Sequence, residues 1–100
     1  MGQLRNPHSG EILKEEFLSE IGVSQNQLAQ AIGVPANRIH AIFNGTRDIT
    51  ADTDLRLCKF FGLTDGYFLR LQNAYDILEA KHRIARKVAK IKRYKSDQAA

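Results

Sequence analysis

Residues 24–45 read SQNQLAQAIGVPANRIHAIFNG, two short helical patterns joined by a tight turn. Ser24 stands three residues before Gln27, an S-x-x-Q capping box in which each side chain satisfies a backbone donor left open at a helix start. Leu28, Ala29 and Ile32 recur at helical spacing and form the inward face of the first helix. Gly33 supplies the left-handed residue that ends it, and Val34 fills the turn. Pro35 then starts the second helix, where a missing N–H costs nothing. Ile39, Ile42 and Phe43 are its buried face, and Gly45 stops it.

Two helices meeting at a glycine turn, with the small Ala29 where they cross, are what a helix-turn-helix needs. With the apolar positions inward, Pro35, Ala36, Asn37, Arg38, His40, Ala41 and Asn44 are left on or near the outward face of the second helix. Asn37 can pair bidentately with adenine, Arg38 suits guanine or a phosphate, and Ala36 or Ala41 can meet a thymine methyl. His40 reads as an outward donor or as a surface histidine without a role. Gln25, opening the first helix, and Asn44, Thr46 and Arg47, after the second, can reach phosphates, which set register rather than sequence. No Asp or Glu lies between Glu20 and Asp48, so this stretch can face a polyanion without self-repulsion. The plain alternative is a helical bundle whose Gln and Asn side chains are soluble surface.

The rest of the chain also reads as helix, because apolar residues recur at three- and four-residue spacing and alternating β-branched stretches are missing. Ile12, Leu13, Phe17, Leu18 and Ile21 stripe a preceding helix that Gly22 ends. Thr50 caps a later one, with Asp52 and Asp54 near its positive end and Leu55, Leu57, Cys58, Phe60 and Phe61 as its apolar surface. Thr64 and Asp65 begin a last helix, tied to the body by Tyr67, Phe68, Leu71, Ala74, Tyr75 and Leu78 and continuing to about Tyr94. The final KSDQAA is expected to fray. This is one all-α domain of 100 residues, large enough to bury a core without disulfide or metal staples.

Fifteen Lys and Arg stand against eleven Asp and Glu, a net charge of +4, yet the charge is unevenly spread. Residues 1–80 carry −3, whereas residues 81–95 carry +8 without an acid. In that basic segment Ile84, Val88 and Ile91 continue a seam from Ile77. It can pack on a dimer mate or another protein partner, touch DNA phosphates, or lie on an anionic membrane; a solvated, partly helical tail is the plain alternative. Membrane binding is the weakest of these, because the seam is narrow and has no Trp or Phe.

Catalysis finds no support. His8, His40 and His82 lack Cys or carboxylate partners at ligand spacing, so neither a metal nor another cofactor is expected. Glu11 and Glu15 share a helix face as solvated pairs do, and no glycine-rich phosphate loop is present. Cys58 lies on an apolar stripe and reads as a packing residue; one lone cysteine fits a reducing, cytoplasmic setting. No apolar run is long enough to span a membrane, and no secretory leader is expected.

The pattern QLAxAIGVxxNRIxxIxNGxRxITADTxLRL, followed by FxLxLQxAYD, resembles the HigA-type antitoxins, also seen as VapI, within the lambda-repressor-like (XRE) helix-turn-helix family. The opening PHSGEILKEEFLSEIGVSQ is similar to the same group's first helix, so the likeness covers residues 7–78 and leaves 79–100 as a basic extension. The resemblance implies a five-helix fold, a homodimer, a palindromic operator in the chain's own promoter, and a HigB toxin, an mRNA endonuclease, as partner. A stand-alone regulator of the same family is the nearest rival. The resemblance places the DNA-facing segment on Gln25 and Pro35 through His40, with Asn44, Thr46 and Arg47 on the flanks. Tyr67, Phe68 and Arg70 depart from the Phe-Trp and Asn more usual there.

Overall fold

The computed structural model describes residues 6–95, which form helices and connecting turns with no strand among them. The helix-turn-helix consists of α2, Gln25–Ile32, and α3, Ala36–Phe43. Its capping box is complete: Ser24 Oγ accepts from the Gln27 N–H at 3.1 Å, and Gln27 Oε1 accepts from the Ser24 N–H at 2.9 Å. Gly33 ends α2 at φ +73°. Pro35 falls one place earlier than expected, as the N-cap of α3 with an extended ψ of 144°, so Ala36 is the first helical residue. The ring-locked φ suits this extended cap as well as a first turn, and the Pro35 carbonyl accepts from the Arg38 N–H at 3.0 Å.

Helix α1 runs through Ser9–Ile12, Leu13–Leu18 and Ser19–Ile21, and its middle segment widens to i→i+5 bonding. The wider turn brings Leu13 and Leu18, five residues apart, into the core together. Phe17 packs between them and the distal helices, with ring centroids 5.0 Å from Phe61 and 5.3 Å from Phe68. Gly10 is where α1 meets the recognition helix most closely: a Cβ there would overlap the carbonyl oxygen of Ile42. Ile21, expected on the inward stripe, is exposed.

Helices α4, Ala51–Phe61, and α5, Tyr67–Ala89, complete five helices around a core that includes Leu28, Ile39, Ile42, Leu57 and Phe68. Thr50 caps α4, accepting from the Thr53 N–H at 3.4 Å. Asp54 does something the sequence reading did not foresee. It is buried, and its carboxylate accepts from the backbone N–H groups of Gly66 at 2.7 Å, Phe68 at 2.9 Å and Leu69 at 3.1 Å. This remote carboxylate, rather than Thr64 or Asp65, satisfies the open donors at the start of α5, which therefore begins at Tyr67. One turn further on, Gln72 grips the strand-like residue before α4: its Oε1 accepts from the Ile49 N–H at 2.6 Å and its Nε2 donates to the Ile49 carbonyl at 3.0 Å.

Three apolar expectations need correction. Leu55 and Phe60 are 49% and 38% exposed and line a groove of about 500 Å³ with Ala31 and Ile32, on the two margins of the stripe that Leu57 and Cys58 bury. Ala74 and Leu78 are exposed, so the hold of α5 on the body passes through Phe68, Leu71 and Tyr75. The last helix ends at Ala89 instead of near Tyr94 and leaves helical geometry at Ile84, with φ −119° and ψ 21°. Its distal part stands off the body, and the radius of gyration of 17.5 Å exceeds the roughly 13 Å of a compact domain this long. The expected frayed end, from Ser96 on, lies outside the described residues.

Replacing Asp54 by Ala leaves three donors at the start of α5 without their acceptor. A bond to a charged group contributes about 1.5–3 kcal/mol, so urea unfolding should show a loss of roughly 3 kcal/mol or more. A loss below about 1 kcal/mol would show that α5 caps itself.

Candidate nucleic-acid interface

At about 100° per residue, Ala36, Asn37, His40, Ala41 and Asn44 occupy one arc of α3 roughly 140° wide, opposite Ile42, with the buried Phe43 at the edge of the arc beside Ala36. Ala36, Asn37, His40 and Asn44 are exposed there, Pro35 is exposed at the leading end, and Ala41 is half-buried on the edge. Asn44 Nδ2 lies 3.0 Å from His40 Nε2 and donates to it in the tautomer protonated at Nδ1. The two side chains orient one another and leave a ring N–H and an amide oxygen for an incoming ligand.

The exit from α3 is rigid. The Ala41 carbonyl accepts from the Thr46 N–H at 3.0 Å, the Thr46 hydroxyl at 3.2 Å and the Arg47 N–H at 3.2 Å, around Gly45 at φ +77°. The Arg47 side chain projects into solvent, exposed and without a bonded partner among the described residues. At the other edge Gln25 is half-buried at the start of α2, beside Lys14, Ser24 and Phe43 in one shallow groove. The sequence reading missed Lys14, which brings a cation to the positive end of α2.

Arg38 departs from the outward set. Its side chain is only 25% exposed, its Nε is buried without a hydrogen-bond partner, and Nη1 lies 3.7 Å from Asp52 Oδ1. Helical phase explains this: Arg38 lies about 40° from the buried Ile42 but about 120° from Asn44. Asp52 Oδ1 also accepts from Arg56 Nε at 2.7 Å. Arg56 Nη1 in turn donates to the Ile32 carbonyl at 2.7 Å and the Gly33 carbonyl at 3.3 Å, closing the C-terminal end of α2. The sequence signal for this network was the i, i+4 spacing of Asp52 and Arg56.

No carboxylate sits on the exposed face of α3, and among the described residues no three His, Cys, Asp or Glu side chains gather as metal ligands. No described helix is long and apolar enough to cross a membrane. An exposed helix bearing amides, braced by a capped partner helix and followed by a free cation on a fixed loop, defines a helix-turn-helix DNA-binding module. The helix-turn-helix family model matches residues 13–68. The chain is 46% identical over 74 residues to virulence-associated protein I of Dichelobacter nodosus, covering 74% of this chain and 68% of that protein. It superposes on an addiction module antidote protein of the HigA family from Coxiella burnetii with a TM-score of 0.84 at 48% identity, over 91% of this chain and all (100%) of that one. A Pseudomonas aeruginosa antitoxin HigA, solved with the higBA promoter, matches at a TM-score of 0.82 and 32% identity, over 88% of this chain and 97% of that one. The chain belongs to the XRE-type helix-turn-helix family, among the HigA antitoxins and virulence-associated protein I. That family is defined by DNA binding and is not an enzyme class.

Asn37→Ala should lower discrimination between operator and random duplex by about 1–3 kcal/mol in a fluorescence anisotropy titration, with helicity unchanged. Arg47→Ala should weaken both duplexes alike and flatten the salt dependence by about one unit of slope. The reverse assignment of these two effects would mean that the loop, and not α3, reads the bases.

Proposed function

We propose that this chain is the antitoxin of a HigBA-type module. As a homodimer it binds a palindromic operator in its own promoter and represses its operon, and as a protein partner it neutralises a HigB-like mRNA endonuclease. The observation that carries the DNA half is the acid-free, amide-bearing face of α3, held at a fixed pitch by the capped α2 and by the direct crossing of α1 at Gly10. Two such helices, about one turn of B-DNA apart in a two-fold dimer, enter successive major grooves. In this reading Asn37 and His40 meet base edges, Pro35, Ala36 and Ala41 lie along the groove, and Gln25, Asn44, Thr46 and Arg47 hold phosphates. Arg38 contacts a phosphate at the groove wall, since its half-buried place beside Asp52 removes it from the centre of the face.

The reading separates a DNA-binding domain, residues 7–78, from the extension 79–100, in a cytoplasmic protein that needs no cofactor or small-molecule ligand. Support for a protein partner comes from the apolar side chains Ile77, Leu78 and Val88 on α5 and Ile91 just beyond its end, all exposed. Neutralisation is by occupation of the toxin's surface, with no covalent step.

Titration of a duplex carrying the chain's own promoter should give binding at least about 10³-fold tighter than a scrambled duplex. Adding the product of the adjacent small reading frame should yield a stable complex in gel filtration and stop that product from cleaving ribosome-bound mRNA. Operator binding without any such complex would assign the chain to the stand-alone regulators. Equal affinity for both duplexes would remove the repressor reading altogether. Truncation after Leu78 should leave operator discrimination intact while weakening complex formation, dimerisation or the salt slope, and unchanged behaviour in all three would make the extension dispensable.

A further inference from the structure

Two guanidinium groups share one carboxylate at the edge of α3, and they share it unequally. Arg56 is fully engaged, with Nε on Asp52 Oδ1 at 2.7 Å and Nη1 on the Ile32 and Gly33 carbonyls. Arg38 is not: among the described residues its anionic neighbour is the same Asp52 Oδ1 at 3.7 Å, beyond hydrogen-bond length, and its Nε is buried with no hydrogen-bond partner. A guanidinium offers five donors, and one held this loosely is poised to exchange its acceptor for a better one. Asp52 itself is 61% exposed, so leaving it costs Arg38 little, and Arg56 stays behind to keep the carboxylate compensated.

We infer that Asp52 is a positioning residue that restrains Arg38. It parks the guanidinium against α4 in the free protein and gives it up to a DNA phosphate on binding, so that every duplex, matched or not, is bound less tightly than Arg38 alone would allow. The inference rests on the DNA-binding reading above. Its consequence is a uniform lowering of affinity at unchanged discrimination: the restrained contact is a phosphate contact, which carries no sequence information. Holding it back lowers background binding while leaving the base-reading amides of α3 untouched.

The full chain and three variants, Asp52→Asn, Arg38→Met and the double substitution, test this against promoter and scrambled duplexes over a range of salt. The asparagine keeps a side-chain oxygen for Arg56 Nε, and the methionine keeps an apolar stem in the half-buried site. Asp52→Asn should tighten scrambled-duplex binding about two- to fivefold, the scale of an exposed ion pair. Because Arg38 reaches the phosphate in both proteins, the plot of log K against log salt should keep nearly the same slope, whereas Arg38→Met should flatten it by about 0.9. With Met at position 38 the gain from Asp52→Asn should vanish. Persistence of the gain in the double variant, or no gain in the single one, overturns the inference, since the carboxylate would then act by its field alone or not at all. In the unsubstituted protein the Arg38 Nε–H resonance should shift on addition of scrambled duplex, and an unmoved signal overturns the inference even if a variant misfolds. Wild-type protein that binds no duplex overturns the DNA reading and this inference together, an outcome distinct from the others.

Discussion

The buried carboxylate of Asp54 is the constraint from which the interface inherits its rigidity. Its Oδ2 accepts from the Gly66 N–H and its Oδ1 from those of Phe68 and Leu69, and the Cys58 thiol lies 3.6 Å from that Oδ1. By anchoring the start of α5 to the first turn of α4, it seats Phe68 in the core and sets the phase of everything that follows on α5. Gln72 lies one turn later and can reach both polar groups of Ile49 only if that phase is right. Ile49 closes the loop whose other end is tied to α3 through Thr46 and the Ala41 carbonyl. The position of Arg47 therefore depends, through four links, on a side chain that never approaches the interface. A buried charge with three backbone donors is costly to lose, because each orphaned N–H stays in a medium that offers no water.

What could be read from the sequence was whatever the chain decides locally. The capping box of Ser24 and Gln27, the left-handed Gly33 and the inward set Leu28, Ala29, Ile32, Ile39 and Ile42 all involve residues within a few positions of one another, and the structure contains each of them. The misreadings are of another kind. Asp54 looked like a favourable charge near a helix start because its true partners lie 12 to 15 residues away, across a turn. Gln72 carried no signal for the same reason, with its partner 23 residues distant. Leu55 and Phe60 were read with the helix's apolar surface because they stand three residues from Cys58 and Leu57, and only the packing of neighbouring helices leaves these margins of the stripe exposed.

Arg38 shows how residue type and helical phase can place a side chain differently. Residue type pointed to an outward contact with guanine or phosphate, and helical phase, which was available from the same string, pointed to the border of the buried arc. A side chain on the border between the buried and outward arcs of a recognition helix has its stem fixed by packing and its head placed by whatever charge lies next to it. Here that charge is Asp52, which the turn of the helix-turn-helix already holds through Arg56. Pairing Arg38 internally leaves the outward arc of α3 with amides, an imidazole and methyl groups, and almost no formal charge.

That neutrality bears on how the molecule divides its work. Long-range attraction to a polyanion needs charge but not geometry, and base reading needs geometry but is degraded by excess charge, which rewards every duplex equally. In this chain the two requirements are physically separated. The +8 segment of residues 81–95 is almost wholly exposed, on the end of α5 and the stretch beyond it, where a field acts without dictating fit. Helix α3 lies in the core region, with its single arginine paired to a carboxylate and its remaining donors and acceptors neutral. A kink at Ile84, inside the basic segment, frees most of that segment from the direction of the helix before it. Moving the same positive charge onto α3 would strengthen binding everywhere and, for that reason, identify nothing.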